Sequence, residues 1–380
     1  MTRASMAFIA HYVENWNWLL KWRLFHFLHQ KPENHVYTEW LWPIYSTAAV
    51  WEMFGHKAFD VVDNFQFDNN VRCRTVLLRN FGWQFFVPQI RNRIRERILE
   101  AVLDAQKHVE VIGLGALIKD ESLTKGGEWI VQMLGDQLKT PIVHGDTLTA
   151  ATVFGQITRL RQKRDAGQDE SVMITGSTSK IGRAVVLLLA RNGIRVKMYT
   201  LNQDRFDSIK QEAGTDGVNI EWASSLADGK NCYLWVTGKS VPRGNDLLGF
   251  IPHGADVINF AVPNPVSTHS TEHRFDLNFH EGGLLAYDGK RTDLHFTMRL
   301  RPGLTYACHA GTIVHASNHW THHEVGQVSI EQVESVWKSA LDLGFYLPPL
   351  EGKIPVRSGE KEKHFHWPFG HRHGQIEHFS

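Results

Sequence analysis

The chain has 380 residues, enough for two domains that each bury a core. Forty-one basic against 40 acidic residues leave a net charge of +1, which excludes a nucleic-acid binder working through a strong global field. Three cysteines, Cys73, Cys232 and Cys308, odd in number and far apart, exclude a disulfide scaffold and point to a reducing, cytoplasmic compartment.

No charged start, apolar core and small-residue cleavage site opens the chain, and no stretch reaches the ~20 apolar residues of a spanning helix. Residues 6–30, MAFIAHYVENWNWLLKWRLFHFLHQ, and the apolar run 41–54 around Pro43 predict an aromatic-rich helical lead over residues 1–75. Two readings stand: an amphipathic helix lying on the inner face of a membrane with its Trp rings at the headgroups, or an aromatic cover for the protein body or a dimer contact.

Residues 76–165 read as a small α/β domain. Pro88 to His108 is helical, with Ile90, Ile94, Ile98, Ala101, Val102 and Ala105 on its buried side. A strand HVEVIGLGAL, a helix from Trp129 to Leu138, a strand PIVHG and a helix capped by Asp146 or Thr147 follow. Arg91, Arg93, Arg95 and Arg97, and later Arg159, Arg161, Lys163 and Arg164, form basic clusters. These either receive an acidic partner such as acyl carrier protein or make solvated faces. RQKRDAGQDES is a polar hinge.

Residues 166–300 read as a Rossmann-like domain: strand SVMITG, glycine turn, helix IGRAVVLLLARNG and strand VKMYT, with further strands at NIEW, NCYLWVTG and ADVINFAVP. Gly176 permits the tight turn. Ser177, Thr178, Ser179, Lys180 and Ile181 lead into the helix N-terminus, which holds a pyrophosphate, and Gly182 lets helix close on strand. Ser179 stands where a middle glycine is common. No acid ends the second strand; Asn202 stands there with Arg205 close by, which leans toward NADP. Thr237, Gly238 and Lys239 follow the fourth strand, on the ligand side of such a sheet. A short-chain dehydrogenase is excluded, because Tyr233, Tyr287 and Tyr306 are followed four residues on by Thr237, Arg291 and Ala310 rather than lysine.

Residues 301–326, RPGLTYACHAGTIVHASNHWTHHEVG, predict one helix of about five turns that places Cys308, Thr312, His315, His319 and His322 in one stripe. A thiol at a helix N-terminus is favoured as the thiolate. His315 lies roughly 10 Å along the axis from Cys308, too far to be the thiol's own base. Cys308 can be read instead as a small buried apolar residue, and His315, His319 and His322 as metal ligands, although no carboxylate set or cysteine pair completes a metal site. Residues 301–350 are thus a cysteine helix with a C-terminal helix, and residues 351–380 a His-rich flexible tail.

FVPQIRNRIRERILEAVLDAQKH, HGDTLTAATV, GSTSKIG with LNQDRF, and YACHAGTIVHASNHW resemble, in order, the cyanobacterial long-chain acyl-carrier-protein reductases. LWPIYSTAAVWEMFG, VEVIGLGAL, IVHGDTLTAATV and GTIVHASNHWTHHEVG are similar to the C-terminal half of the plant eceriferum-type wax proteins, from about Glu39 to Phe345. The membrane-embedded di-iron half of those plant proteins has no counterpart in this sequence. The reductase resemblance implies attack of Cys308 on an acyl thioester, loss of the carrier thiol and release of a fatty aldehyde by hydride from NADPH. His315 or His309 would then polarise the carbonyl or protonate the leaving thiol.

The resulting expectation is an α/β, NADPH-dependent reductase of long-chain acyl thioesters. Acyl carrier protein would dock on the Arg91/Arg95 and Arg159/Arg161 clusters, and a di-iron aldehyde-processing enzyme would be a further partner. Two alternatives remain open: a non-catalytic aldehyde- or acyl-binding subunit of such a di-iron enzyme, and a metal-dependent lipid enzyme using His315, His319 and His322.

Overall fold

The computed structural model describes residues 4–13, 19, 23–25, 40–68, 70–167, 169–238, 244–261, 274–292, 294, 298, 300 and 303–350. The tail 351–380, most of the aromatic lead between residues 14 and 39, and Lys239 lie outside the described residues. In chain order the elements begin with β1 (Ala4–Tyr12), α1 (Trp42–Phe54), β2 (Phe59–Phe67), β3 (Val71–Phe81), α2 (Arg91–Ala105), β4 (Val111–Leu114), α3 (Glu128–Leu134), β5 (Ile142–Val143) and α4 (Asp146–Lys163). They continue with β6 (Val172–Thr175), α5 (Lys180–Arg191), β7 (Val196–Tyr199), α6 (Gln203–Glu212), β8 (Ile220–Ala223), β9 (Leu234–Thr237), α7 (Gly244–Phe250), β10 (Asp256–Asn259) and β11 (Asn278–Glu281). The remainder is β12 (Leu284–Tyr287), β13 (Arg291–Thr292), β14 (Leu304–Tyr306), α8 (Ala307–Ser317), α9 (Ile330–Asp342) and β15 (Phe345–Tyr346). No helix among the described residues is long and apolar enough to cross a membrane.

The chain forms two compact units. The first is Met1–Leu148, Leu285–Gln327 and Lys338–Tyr346; the second is Thr149–Leu284, Val328–Trp337 and Leu347–Ser380. The division differs from the one read in the sequence: the cysteine helix belongs with the small α/β domain, and 149–165 belongs with the nucleotide-type sheet.

In the first unit the sheet order is β13-β2-β3-β1-β4-β5. The start of the expected helical lead is instead β1, a central strand parallel to both β3 and β4. Its run ASMAFIAHY is almost wholly buried, as a strand covered on both faces must be, and such a short apolar run has no period that separates it from a buried helix. Alternate residues serve opposite faces. Ala7 and Ile9 join Val76, Leu78, Ile112 and Leu114 in a core sealed by Ile94, Ile98, Ala101 and Val102 of α2. Phe8 faces the other way and meets the His309 ring of α8 edge-on at 4.8 Å. A side chain on Gly113 of β4 would strike Thr312, so α8 lies directly on the sheet there. The exposed aromatics Trp40, Trp42 and Trp51 accompany α1.

In the second unit the order is β11-β10-β9-β6-β7-β8, with every pair parallel. Numbered within the unit, that is 3-2-1-4-5-6 read from the β8 edge, the doubly wound dinucleotide-binding order whose reversal lies between β6 and β9. This bears out the expected α/β, Rossmann-like class. The core holds Met173, Trp235, Leu247, Ile251 and Val257.

Candidate functional site

Four distant segments of the first unit converge beyond the carboxyl ends of β4 and β5. Lys119 ends the 3-10 turn Ala116–Lys119 that follows β4. His144, Gly145, Asp146 and Thr147 form the turn between β5 and α4. Cys308 sits in the first turn of α8, and Glu324 lies on a strap, residues 320–326, laid beside β5. The strap is held by main-chain bonds: the His144 amide donates to the Glu324 carbonyl (2.9 Å) and the Glu324 amide to the Ile142 carbonyl (2.9 Å). The Ile142 amide donates to His323 Nδ1 at 3.0 Å.

The turn HGDT does more than cap a helix. Gly145 has φ +67°, and a Cβ there would run into the carbonyl and Cα of Cys308, so only glycine lets the turn approach the cysteine helix this closely. Lys119 donates to the His144 carbonyl (3.1 Å) and is ion-paired with Asp146. Glu324 Oε1 lies 3.0 Å from His144 Nδ1 and accepts from the Thr147 amide at 3.2 Å.

The electrostatics follow from burial and pairing. Burial opposes the charge on Lys119, yet Asp146, then Cys308 and Glu324, hold its ammonium above the ordinary lysine value. Burial pushes the Cys308 thiol up; Lys119 pulls it down and Asp146 opposes that, leaving it above its usual value despite the helix N-terminus. The thiolate expected from helix position alone is therefore not the resting form. Burial raises the Glu324 carboxyl, but His144 and the Thr147 amide outweigh it and hold the group at about 2.

The expected five-turn helix stops at Ser317. The His319 amide donates to the Ala316 carbonyl (3.0 Å) and the Trp320 amide to the His315 carbonyl (3.1 Å), with His319 at φ +51°. That is a Schellman ending in which histidine takes the place usual for glycine. His319 and His322 thus leave the stripe. His315 is buried, its Nε2 donating to the His322 carbonyl at 3.0 Å, and burial lowers it to about 4. His309 is buried against Phe8, with Nδ1 3.1 Å from the Thr305 hydroxyl. No group of three or more His, Cys, Asp or Glu among the described residues is placed to hold a metal, so the alternative metal set of His315, His319 and His322 gains no support from the geometry. Sequence reasoning missed Lys119, His144, Asp146 and Glu324; the one signal present was the polar HGDT turn itself.

The dinucleotide-type residues fall in the second unit. Gly176 has φ +72°, and a Cβ on Gly182 would run into the Gly176 carbonyl, as the tight strand–helix turn requires. Ser179 Oγ donates to the Gly176 carbonyl (2.7 Å) and accepts from the Gly182 amide (3.1 Å), capping α5 with its own side chain. Ser177 donates to the Tyr199 carbonyl at 2.9 Å. The loop has the shape of a pyrophosphate cradle, with Thr178, Lys180 and Ile181 around the helix N-terminus, but the Gly182 amide is already bonded to Ser179. Asn202 caps α6, its Oδ1 accepting from the Arg205 amide at 2.9 Å, and the Arg205 side chain is exposed. Thr237 is buried and bonded to Asn259 Oδ1 at 3.2 Å; a side chain on Gly238 would strike the Phe260 ring.

Six members of the basic clusters, Arg93, Arg95, Arg97, Arg159, Arg161 and Arg164, bond to the fold itself. Arg95 donates to the Leu123 carbonyl (2.9 Å) and covers Trp129, while Arg93 donates to the Gly55 carbonyl (2.8 Å). Arg97 donates to the carbonyls of Arg79 and Gly55, each at 2.8 Å. Arg159 donates to the Pro348 carbonyl, Arg161 to those of Glu170 (2.7 Å) and Gly167 (2.8 Å), and Arg164 to Asp256 (2.7 Å). An acidic carrier on Arg95 or on Arg159/Arg161 would have to break these bonds.

The geometry defines an α/β chain with one doubly wound nucleotide-type unit and one unit carrying a thiol–lysine–carboxylate cluster. Residues 172–347 match the family described as CER1-like, C-terminal domain. The chain is 32% identical over 318 residues to the very-long-chain aldehyde decarbonylase GL1-2 of Oryza sativa subsp. japonica, covering 82% of this chain and 47% of that protein. It is 23% identical over 316 residues to the very-long-chain aldehyde decarbonylase CER1 of Arabidopsis thaliana, covering 80% and 46%. The chain thus spans about half the length of the curated relatives it matches. Among solved structures, the hetero-hexameric glutamate dehydrogenase of Thermus thermophilus is similar at 12% identity and a TM-score of 0.39, over 90% of this chain and 74% of that one.

These relatives support the plant wax-protein resemblance and overturn the reductase reading. They are named aldehyde decarbonylases, for which an aldehyde is the starting material rather than the product of a thioester reduction. An NADPH-dependent acyl-thioester oxidoreductase with a thioester intermediate is not supported, and neither is a purely non-catalytic binding partner.

Proposed function

We propose that the chain acts on long-chain aldehydes in the formation of hydrocarbon waxes, with the aldehyde carbonyl received at Cys308 in the first unit. Its relatives' names supply the substrate class. The observation that carries the reading is the buried Lys119–Asp146 pair electrostatically coupled to Cys308. A carbonyl needs a nucleophile for its carbon and a fixed donor for its oxygen, and this cluster offers a thiol and an ammonium that stays charged. Addition forms the S–C bond, moves the C=O π electrons to oxygen and leaves the thiol proton on that oxygen. The product is a hemithioacetal; nothing is oxidised or reduced, and reversal releases the aldehyde. Asp146 orients Lys119, and Gly145 holds the turn against Cys308.

In the second unit, the Gly176–Gly182 loop would cradle a dinucleotide pyrophosphate. NADPH is the form proposed, because Asn202 is committed as a helix cap, no acid ends β7, and Arg205 is exposed nearby. Bound there, it would supply reducing equivalents.

The test is incubation of the purified chain with octadecanal, with iodoacetamide alkylation of Cys308 read by peptide mass spectrometry. The expected result is reversible protection of Cys308 by octadecanal and none by octadecane; an alkylation rate unchanged by octadecanal would overturn the reading.

A further inference from the structure

Lys119 reaches its partners from the 3-10 turn Ala116–Lys119, and that turn starts on a strained residue. Ala116 has φ +50°, a left-handed backbone in which an L side chain crowds the following carbonyl. An untethered chain would relax there, and the lysine three residues on would swing with it. The tether comes from β1. The Gly115 amide donates to the Ile9 carbonyl at 2.8 Å, and the Leu117 amide donates to His11 Nε2 at 3.3 Å. Ala116 is thus pinned on both sides to one strand.

The partners of His11 fix its tautomer. A carbonyl only accepts, so Nδ1, 3.0 Å from the Tyr12 carbonyl, carries the proton. An amide only donates, so Nε2 offers its lone pair to Leu117. The ring is buried beside Gly82 and against Phe85, the two ring centroids 4.3 Å apart. Burial lowers the imidazole to about 4 against the opposing Tyr12 bond, so His11 is neutral and able to accept at neutral pH. The charged groups on the elements around it are Lys119 from the turn and Arg79 of β3, which is paired with Asp60 of β2 at 2.8 Å.

Two residues past Leu117, Lys119 donates to the His144 carbonyl at 3.1 Å and pairs with Asp146. Gly145, between those two residues, packs on the Cys308 backbone. Lys119 is the charge that favours the Cys308 thiolate, and Asp146 opposes it.

We infer that His11 is a positioning residue of the Cys308 site: through its Nε2 it pins the Leu117 amide, keeps Ala116 left-handed and so delivers the Lys119 ammonium to the His144–Asp146 turn. It acts through the backbone of the turn. The inference rests on the Lys119–Cys308 coupling in the reading above and not on the aldehyde.

The experiment follows iodoacetamide alkylation of Cys308 in the full chain from about pH 6 to 10, with peptide mass spectrometry separating it from the buried Cys73 and Cys232. Lys119→Met sets the full effect: the alkylation midpoint should move to higher pH and the rate at neutral pH fall about tenfold, the scale of one opposite charge lost near a thiolate. His11→Leu keeps the bulk but has no acceptor, and should give most of that loss. His11→Gln, whose side-chain oxygen accepts from the Leu117 amide, should restore the wild-type profile. A packing role predicts the opposite order, since leucine suits the apolar pocket beside Phe85 better than glutamine does.

A wild-type profile in folded His11→Leu, or a His11→Gln profile no better than that of His11→Leu, overturns the positioning role and leaves the Lys119–Cys308 coupling standing. A wild-type profile in Lys119→Met removes the coupling and the positioning role with it. Nitrogen-15 spectra of the wild-type imidazoles at neutral pH, with His11 assigned by its loss in His11→Gln, serve whether or not the leucine variant folds. A proton on Nδ1 alone is expected, and a proton on Nε2 overturns the inference. Octadecanal added to the same samples decides the aldehyde separately: a slowed His11→Leu without protection by octadecanal keeps the role of His11 and removes the aldehyde.

Discussion

The two units build their sites in opposite ways. The second gathers its candidate nucleotide cradle from one strand–turn–helix, so Gly176, Ser179 and Gly182 are neighbours in sequence as well as in space. The first gathers Lys119, His144, Asp146, Cys308 and Glu324 from four segments spread over some 200 residues of chain. A local site tolerates change piecemeal, whereas a convergent one depends on buried charges that need each other.

The largest effect that tests this contrast is removal of one such charge. Lys119→Met leaves Asp146 buried and unpaired and should cost the first unit about 3–5 kcal/mol, measured by urea unfolding. Asp146→Leu added to it should recover most of that loss, because the uncompensated charge is then gone. Gly145→Ala comes next. A left-handed backbone and a collision with Cys308 should cost at least about 3 kcal/mol, whereas Gly193→Ala, also left-handed but with open space, should cost roughly 1 kcal/mol.

Acid should also separate the units. Burial holds His315 and His11 neutral, each lowered from 6.5 to about 4; protonating His11 would also remove the acceptor its Nε2 offers the Leu117 amide. Glu324 is lowered from 4.5 to about 2. All three folded values lie below the unfolded ones, so their stabilisation is full above pH 6.5. The histidine part is lost between pH 6.5 and 4, and the Glu324 part between pH 4.5 and 2. A tenfold difference in proton affinity between the folded and unfolded chain is worth about 1.4 kcal/mol, so the first unit should lose several kcal/mol by about pH 3, followed by tryptophan fluorescence and hydrogen exchange resolved by peptide. In the second unit, Asp256 bonded to His280 and Arg164 has a lowered carboxyl, which adds acid sensitivity only in the carboxylate range.

The smallest effects lie in the local cradle. Arg205→Ala should weaken NADPH binding about tenfold and leave NADH unchanged, the scale of one exposed charge on a phosphate, read by nucleotide fluorescence. Ser179→Gly should change stability by only a few tenths of a kcal/mol while freeing the Gly182 amide.

The same contrast explains what was legible in the sequence. The βαβ pattern around TGSTSKIG placed the second unit's strands and turn correctly, because helix and strand periods and a glycine turn are local signals. β1 was hidden because nine nearly continuous buried residues carry no alternation to distinguish strand from helix. The end of α8 was hidden because His319 occupies a left-handed position with no glycine to mark it. Cys308 was visible as a thiol at a helix start, but its partners were not. Lys119 and Glu324 are ordinary charged residues in sequence, and only the closing of the β4 and β5 loops on α8 makes them a site. The arginine runs misled for the converse reason: their charges are used inwardly on carbonyls, which a charge count cannot show.

The most direct test of aldehyde addition at Cys308 compares two ligands at one thiol. Purified chain is incubated with octadecanal or with an octadecanoyl thioester, and Cys308 is followed by intact-mass spectrometry and by its alkylation rate. Octadecanal should protect Cys308 reversibly and leave no mass change after dialysis, octadecane should give no protection, and the thioester should leave no adduct. A stable, hydroxylamine-labile acyl group on Cys308, with no protection by the aldehyde, would contradict aldehyde addition there.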